Sequence, residues 1–232
     1  QNGVTTVEIG CQSFCPQVLI AAERGHGPEA AGLAVARLRR CGLRVGLQLM
    51  PGLPSGDRGE AVASLHAALR LDPDFLRLYP AVVFQGTPLA DDWRQGRYRP
   101  WSLQEAVDCC AELLWRCRQA AVPVVRTGLQ ADPALTTAIV AGPWHPAFGQ
   151  LVRSRLWLRA LTAAARQSGG GEAGVALADL SDALGHRREN LTALRQIFPS
   201  FTITARPERS RGFLALAGRE FDLWQMAGYG AA

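Results

Sequence analysis

The chain has 232 residues, 48 % of them hydrophobic, which is enough to bury a core and excludes a disordered polymer; one domain with a small appendage is expected. All 25 basic residues are arginine, against 20 acidic ones. With lysine entirely absent, the net charge of +5 reads as compositional bias and is weak evidence for a nucleic-acid partner. No run approaches the ~18 apolar residues of a membrane span and the first residues carry no secretory pattern, so a cytoplasmic protein without membrane attachment is expected.

In chain order, Val7-Glu8-Ile9-Gly10 reads as a strand running into Cys11-Gln12-Ser13, followed by a short helix from Pro16 to Glu23 that Arg24-Gly25-His26-Gly27 breaks. Pro28 stands at a first helical position, and Ala30, Leu33, Ala34, Val35 and Leu38 build a helix ending at Cys41-Gly42. A strand over 43–50 ends in Pro51-Gly52-Leu53-Pro54, a helix runs from Glu60 to Leu71, and Phe75 to Tyr79 is a third strand. This alternation, with near-continuous apolar strands, predicts parallel pairing through right-handed crossovers. Residues 80–100 read as irregular. A helix over Leu103 to Ala121 then precedes a fourth strand, Pro123 to Thr127, which ends at Gly128-Leu129-Gln130.

Ala141 to Pro146 reads as a turn-rich link and Phe148 to Gln167 as a long amphipathic helix. Ser168-Gly169-Gly170-Gly171 is the expected flexible boundary, giving domains of 1–167 and 172–232. Beyond it the pattern predicts two short helices, a strand pair over Phe201–Arg206 and Gly212–Ala217, and a last helix around Glu220 to Met226: a small α+β domain.

Parallel sheets gather ligands at the C-terminal ends of their strands, so polar groups there are the site candidates. Glu8 alternates with Val7 and Ile9 and so faces a ligand or an arginine. Gln12 and Ser13 follow at the strand end, where an amide and a hydroxyl suit a small polar ligand, or Ser13 caps the next helix. Gly52, in a proline-stiffened loop after Met50, permits close approach of an adenine or sugar. Arg77 and Tyr79 share a strand face, and Arg126 projects from the next strand; the guanidinium groups suit a carboxylate or phosphate, with a Glu8–Arg77 ion pair as the structural alternative. His145, constrained between Trp144 and Pro146, faces a substrate in this reading, although no nucleophile and acid accompany it.

No phosphate-loop motif is present. Cys11-x3-Cys15 lacks the third cysteine of a cluster loop, since position 18 is Val. The six cysteines, at 11, 15, 41, 109, 110 and 117, read as reduced thiols, and neither a metal site nor a catalytic residue is assigned. Arg153, Arg155, Arg159, Arg187, Arg188, Arg206, Arg209 and Arg211 make the C-terminal part the candidate RNA surface, with Trp157 and Phe201 as stacking groups or core.

Val7 to Ser13, Arg24-Gly25-His26, Gly46 to Pro54, Leu76 to Pro80, Gly86-Thr87-Pro88-Leu89, Arg126 to Gln130 and Ala141 to Phe148, in that order, resemble the later strands of a radical S-adenosylmethionine enzyme. The similarity is to the branch of the elongator catalytic subunit and its bacterial relatives, which also resemble oxygen-independent coproporphyrinogen oxidase. It covers roughly residues 4 to 155.

The resemblance implies an α/β fold, the C-terminal half of a partial (β/α) barrel, with S-adenosylmethionine and a [4Fe–4S] cluster in the full-length parent and an RNA or other small substrate. By the same resemblance Glu8, Gln12 and Ser13 lie on the cofactor side, Met50 and Gly52 approach the adenosine, and Tyr79, Arg126 and Gln130 lie nearer the substrate. The family's cluster cysteines and its glycine-rich strand are not found in this sequence. The expectation is therefore a C-terminal piece, inactive and cofactor-free by itself, with an exposed sheet edge that favours homo-oligomers. The alternative is a non-catalytic scaffold module binding nucleic acid or protein.

Overall fold

A computed structural model describes residues 3–130 and 132–229. Two compact units divide the chain, Gln1–Phe148 and Gly149–Ala232, so the division falls at the start of the long helix and not at Ser168-Gly171.

The first unit runs β1 (Thr6–Gln12), α1 (Pro16–Ala21), α2 (Glu29–Arg40), β2 (Arg44–Leu49), α3 (Arg58–Leu69), β3 (Phe75–Leu78), β4 (Val83–Phe84), α4 (Pro88–Arg94), α5 (Leu103–Gln119), β5 (Val124–Thr127), α6 (Pro133–Thr136) and β6 (Ile139–Ala141). Strands β1, β2, β3 and β5 form one sheet in that order, every neighbour parallel, with β1 and β5 at its edges. The predicted α/β fold with parallel crossovers is thus present.

Alternation along the strands sets the two faces of this sheet. Val45, Leu47, Leu49, Leu76 and Leu78 are no more than 2 % exposed and belong to the core beneath the helices. The helices contribute Ala31 and Val35 of α2, Leu65 and Ala68 of α3, and Val107, Cys110 and Leu113 of α5. Two caps start the covering helices. Asp57 accepts from Glu60 N–H at 2.7 Å, and Ser102 with Glu105 forms a reciprocal capping box on α5. Buried Glu112 of α5 takes hydrogen bonds from Arg58 of α3 and Arg116 of α5, tying the two helices together.

Residues 80–100 are more regular than expected. Val83–Phe84 pairs antiparallel with Ile139–Ala141, a strand ending where the anticipated link begins, and the Thr87 hydroxyl caps α4 by accepting from Ala90 N–H, with Pro88 in the first turn. Strands of two and three residues are too short for periodicity to register, but the Thr-Pro start was readable.

The second unit contains most of α7 (Phe148–Ser168), then β7 (Glu172–Val175), α8 (Leu180–Leu184), α9 (Glu189–Ile197), β8 (Thr202–Ala205), β9 (Phe213–Leu216), β10 (Arg219–Asp222) and α10 (Leu223–Met226). Its sheet order is β10-β9-β7-β8. The expected pair β8 and β9 do not touch as neighbours: each pairs with β7, parallel for β8 and antiparallel for β9, while β9 and β10 make the hairpin. The last helix is correspondingly shorter, since its expected start is strand. The glycine run is a tight turn and not a flexible linker. Gly169, Gly170 and Gly171 all have positive φ, and Gly170 is buried with a β-carbon position only 3.0 Å from Phe198 Cδ1. Trp157 and Phe201 are core, which removes them as stacking groups.

Candidate functional site

The sheet face opposite the buried leucines is polar. In register, Gly10, Gln48, Arg77 and Arg126 stand side by side across β1, β2, β3 and β5, one row through the whole sheet. One step earlier the row is Glu8, Gly46 and Phe75, and the Phe75 ring occupies the space a β-carbon on Gly46 would need. At the C-terminal end of β1 the register shifts, and Gln12 takes φ 61°. Its side chain folds back over Gly10, where a β-carbon would collide with Gln12 Nε2 and lie 3.7 Å from Gln48 Oε1. A left-handed backbone at a glutamine is costly, and this one turns an amide over the face.

Glu8 Oε2 lies 2.6 Å from Arg77 Nε, and Arg77 Nη1 donates to the Tyr79 hydroxyl at 2.8 Å. Glu8 and Arg77 are 30 % and 34 % exposed, so the pair orients the guanidinium more than it stabilises the fold. The structure thus realises the ion pair weighed as the alternative for Arg77. Gln12 Oε1 and Arg126 Nε are buried without a partner among the described residues, and Arg77 Nε, although 2.6 Å from Glu8 Oε2, makes an ion pair there without an aligned hydrogen bond. A buried polar atom left unpaired costs about 1–3 kcal/mol, so each marks a place where a ligand or water would be favoured.

Ser13 lies elsewhere. Its hydroxyl donates to Glu60 Oε1 at 2.6 Å and accepts from Cys15 N–H at 2.9 Å, while Ser64 of α3 donates to the same Glu60 oxygen at 2.5 Å and accepts from Phe14 N–H. This buried network joins the β1 end to α3; Ser13 does not cap α1, whose N-cap is Cys15 without a side-chain cap bond, and it ties β1 to α3 instead. Met50 is half-buried beside Val18, Leu53 and Ala81, and its N–H donates to Gln12 O at 2.8 Å, which fixes the loop to the end of β1.

Gly52 has φ 86°, and the close approach it permits is taken by the Trp101 indole, 2.9 Å from where a β-carbon would stand. The Tyr98 hydroxyl donates to Gly52 O at 2.6 Å; burial pushes that phenol up to about 12, keeping it a donor at neutral pH. The loop 50–53 is therefore held rigid from behind. Gln130 is exposed, two residues beyond Gly128, and His145 Nδ1 accepts from Ala147 N–H at 3.1 Å at the entry to α7. The structure thus brings Glu8, Gln12, Tyr79 and Arg126 to one face with the loop of Met50 and Gly52 at the β2 end, and gives Ser13 and His145 local structural contacts.

Sequence reasoning missed Gln48, Phe75, Tyr98 and Trp101. Gln48 had a signal, since it alternates with Leu47 and Leu49 as Glu8 does with Val7 and Ile9.

Cys11 is buried and its thiol is pushed up to about 12 by that burial, opposed by a backbone hydrogen bond. Among the described residues no group of three His, Cys, Asp or Glu side chains could hold a metal ion. These residues do not fit a [4Fe–4S] cluster. Several arginines of the second unit are committed: Arg153 to Asp182, Arg206 to Glu172, Arg209 to Glu220 and Arg211 to Asp179, while Arg159 donates to the carbonyls of Ala227 and Gly228. Among the described residues no helix is long and apolar enough to cross a membrane.

A parallel sheet with helices over one face and polar strand ends on the other is a partial radical-SAM-type core, here with added α+β elements, and comparison with known proteins agrees. Residues 73–157 match the Radical_SAM C-terminal domain. The chain is 32 % identical over 154 residues to the tRNA uridine(34) acetyltransferase of Methanocaldococcus jannaschii, covering 65 % of this chain and 28 % of that protein. It is 33 % identical over 117 residues to mouse Elongator complex protein 3, covering 48 % of this chain and 21 % of that one. A solved structure of the Methanocaldococcus infernus Elp3 with an N-terminal deletion superposes with a TM-score of 0.56 at 29 % identity, over 65 % of this chain and 35 % of that one. Over these partial stretches the chain is similar to the radical-SAM-type domains of Elongator complex protein 3 and the tRNA uridine(34) acetyltransferases. It spans between a fifth and three tenths of the length of these curated relatives.

Proposed function

We propose that the first unit supplies the later strands of the S-adenosylmethionine-binding face of a radical-SAM-type, RNA-modifying enzyme. The observation that carries this is the polar row Gly10–Gln48–Arg77–Arg126, overlaid by a Gln12 amide whose oxygen has no partner among the described residues. Gln12 Oε1 offers an acceptor for an amine or hydroxyl of the ligand and the Gln48 amide lies beside it. Tyr98 and Trp101 hold the Met50–Gly52 loop in one shape at the end of β2. On the substrate side we assign Tyr79 and Arg126, with Gln130 and His145 farther along the chain. S-adenosylmethionine would supply the radical precursor. Among the described residues no set of thiolates is gathered for a cluster, and the chain by itself is proposed to carry out no cluster-dependent step. A scaffold that holds RNA through the second unit is less well supported, because Arg153, Arg206, Arg209 and Arg211 are already paired with carboxylates and Arg159 with backbone carbonyls.

Isothermal titration with S-adenosylhomocysteine, a stable relative of the proposed ligand, tests this reading. The sequence alone led to the expectation of a cofactor-free chain; with the polar row and the 50–53 loop in place, saturable binding to the 232-residue chain is expected instead, weakened about tenfold by Gln12→Ala through the lost side-chain contacts. Absence of binding, or equal binding by the variant at an unchanged melting temperature, would remove the assignment.

A further inference from the structure

The charge on the polar face does not balance. Arg77 and Arg126 are register partners on adjacent strands, whose backbones lie about 4.8 Å apart. Like charges directly opposite one another destabilise a sheet. Glu8 is the one carboxylate paired with either of them among the described residues, and it is engaged at Arg77 Nε. Arg126 is half-exposed, but its Nε–H is buried with no acceptor among the described residues, a donor that an anion or another strong acceptor would satisfy. The surroundings are suited to more than a bare ion: the half-buried Phe75 ring, the Gln48 amide and the Tyr79 phenol lie on the same face.

We propose that Arg126, beside a pre-oriented Arg77, is the receptor for one phosphate group of a nucleotide, with the aromatic and amide groups of the face toward the nucleoside. Two guanidinium groups on neighbouring strands present donors from two directions, which suits a tetrahedral oxyanion; a single fork would suffice for a flat carboxylate. Glu8 and Tyr79 keep Arg77 from swinging away, so the donor geometry is set before the ligand arrives. This inference rests on the inner face being the ligand face, but not on S-adenosylmethionine being the cofactor.

The test uses the whole 232-residue chain. Thermal shift and calorimetric titration would be run with inorganic phosphate, adenosine 5′-monophosphate and a single-stranded oligoribonucleotide, against acetate and chloride at matched ionic strength. Phosphate-bearing ligands are expected to stabilise the chain and the control Arg94→Met. Arg126→Met should weaken their binding about tenfold or more, and Arg126→Lys, which keeps the charge but not the fork, should fall between.

Without ligand, Arg126→Met should melt at the same temperature or higher, because it removes like-charge repulsion and an unpaired buried donor; a purely structural arginine would lower it. A tenfold loss for the oligoribonucleotide identifies an RNA strand as the source of the phosphate, and a loss for the mononucleotide alone identifies a free nucleotide. Phosphate affinity unchanged in Arg126→Met, stabilisation by acetate equal to that by phosphate, or a ligand-free melting temperature lowered by Arg126→Met would overturn the proposal. If S-adenosylhomocysteine fails to bind but phosphate responds at Arg126, the cofactor assignment falls and this subsite stands; the opposite pattern removes the subsite alone.

Discussion

The two faces of the four-stranded parallel sheet are built from alternate residues of the same strands, yet they obey opposite rules. On the helix-covered face Val45, Leu47, Leu49, Leu76 and Leu78 are packed to exclusion of water. On the other face Gln48, Arg77 and Arg126 are half-exposed, and atoms of Gln12 and Arg126 lack partners among the described residues. A strand selected for stability alone has no use for that second pattern. Placing every unpaired polar atom of this sheet on one face separates a packing surface from a binding surface within one element.

The largest expected effect probes the packed face. Leu76→Ala, at a fully buried leucine of β3, should cost about 2–5 kcal/mol in denaturant unfolding. A smaller effect comes from the helix that covers it. Ser102→Ala removes the α5 capping box and should cost about 1 kcal/mol.

The same cap sets an acid limit. A hydrogen bond from Arg99, followed by those from Ser102, holds Glu105 down to about 2 from its ordinary 4.5. Because the folded value is depressed, this contribution is complete above pH 4.5 and is lost as pH falls toward 2. Glu105→Gln should remove that part of the acid dependence of unfolding. The smallest effect lies on the polar face: Gln48→Ala should change stability by less than about 0.5 kcal/mol. If Gln48→Ala proved as costly as Leu76→Ala, the distinction between the faces would collapse.

The parallel core was legible because its strands, four to seven residues long, are rich in Val, Ile and Leu and alternate with helices that have clear ends, and the placement of Glu8 followed from alternation alone. The β4–β6 pair was not legible, since two or three residues carry no period. The second unit's strand order was misread for a related reason. β7, Glu172–Val175, has Gly174 inside it and Val175 as its one β-branched residue, so nothing marked it as the central strand that separates β8 from β9. At the site, residue types near strand ends were readable, but their partners were not. Whether Ser13 meets a ligand or Glu60, 47 positions away, depends on how α3 docks, and local sequence does not encode that. The Trp101 indole over Gly52 is likewise a contact across 49 positions.

The most direct measurement is a nuclear magnetic resonance titration of the chain with S-adenosylhomocysteine, following the side-chain amides of Gln12 and Gln48 and the methyl groups of Leu76 and Leu78. If the polar face bears the ligand, both amides shift together in one saturable transition while the leucine methyls stay in place. Shifts confined to the leucines or to residues 149–232, with the two glutamine amides unmoved, would contradict it.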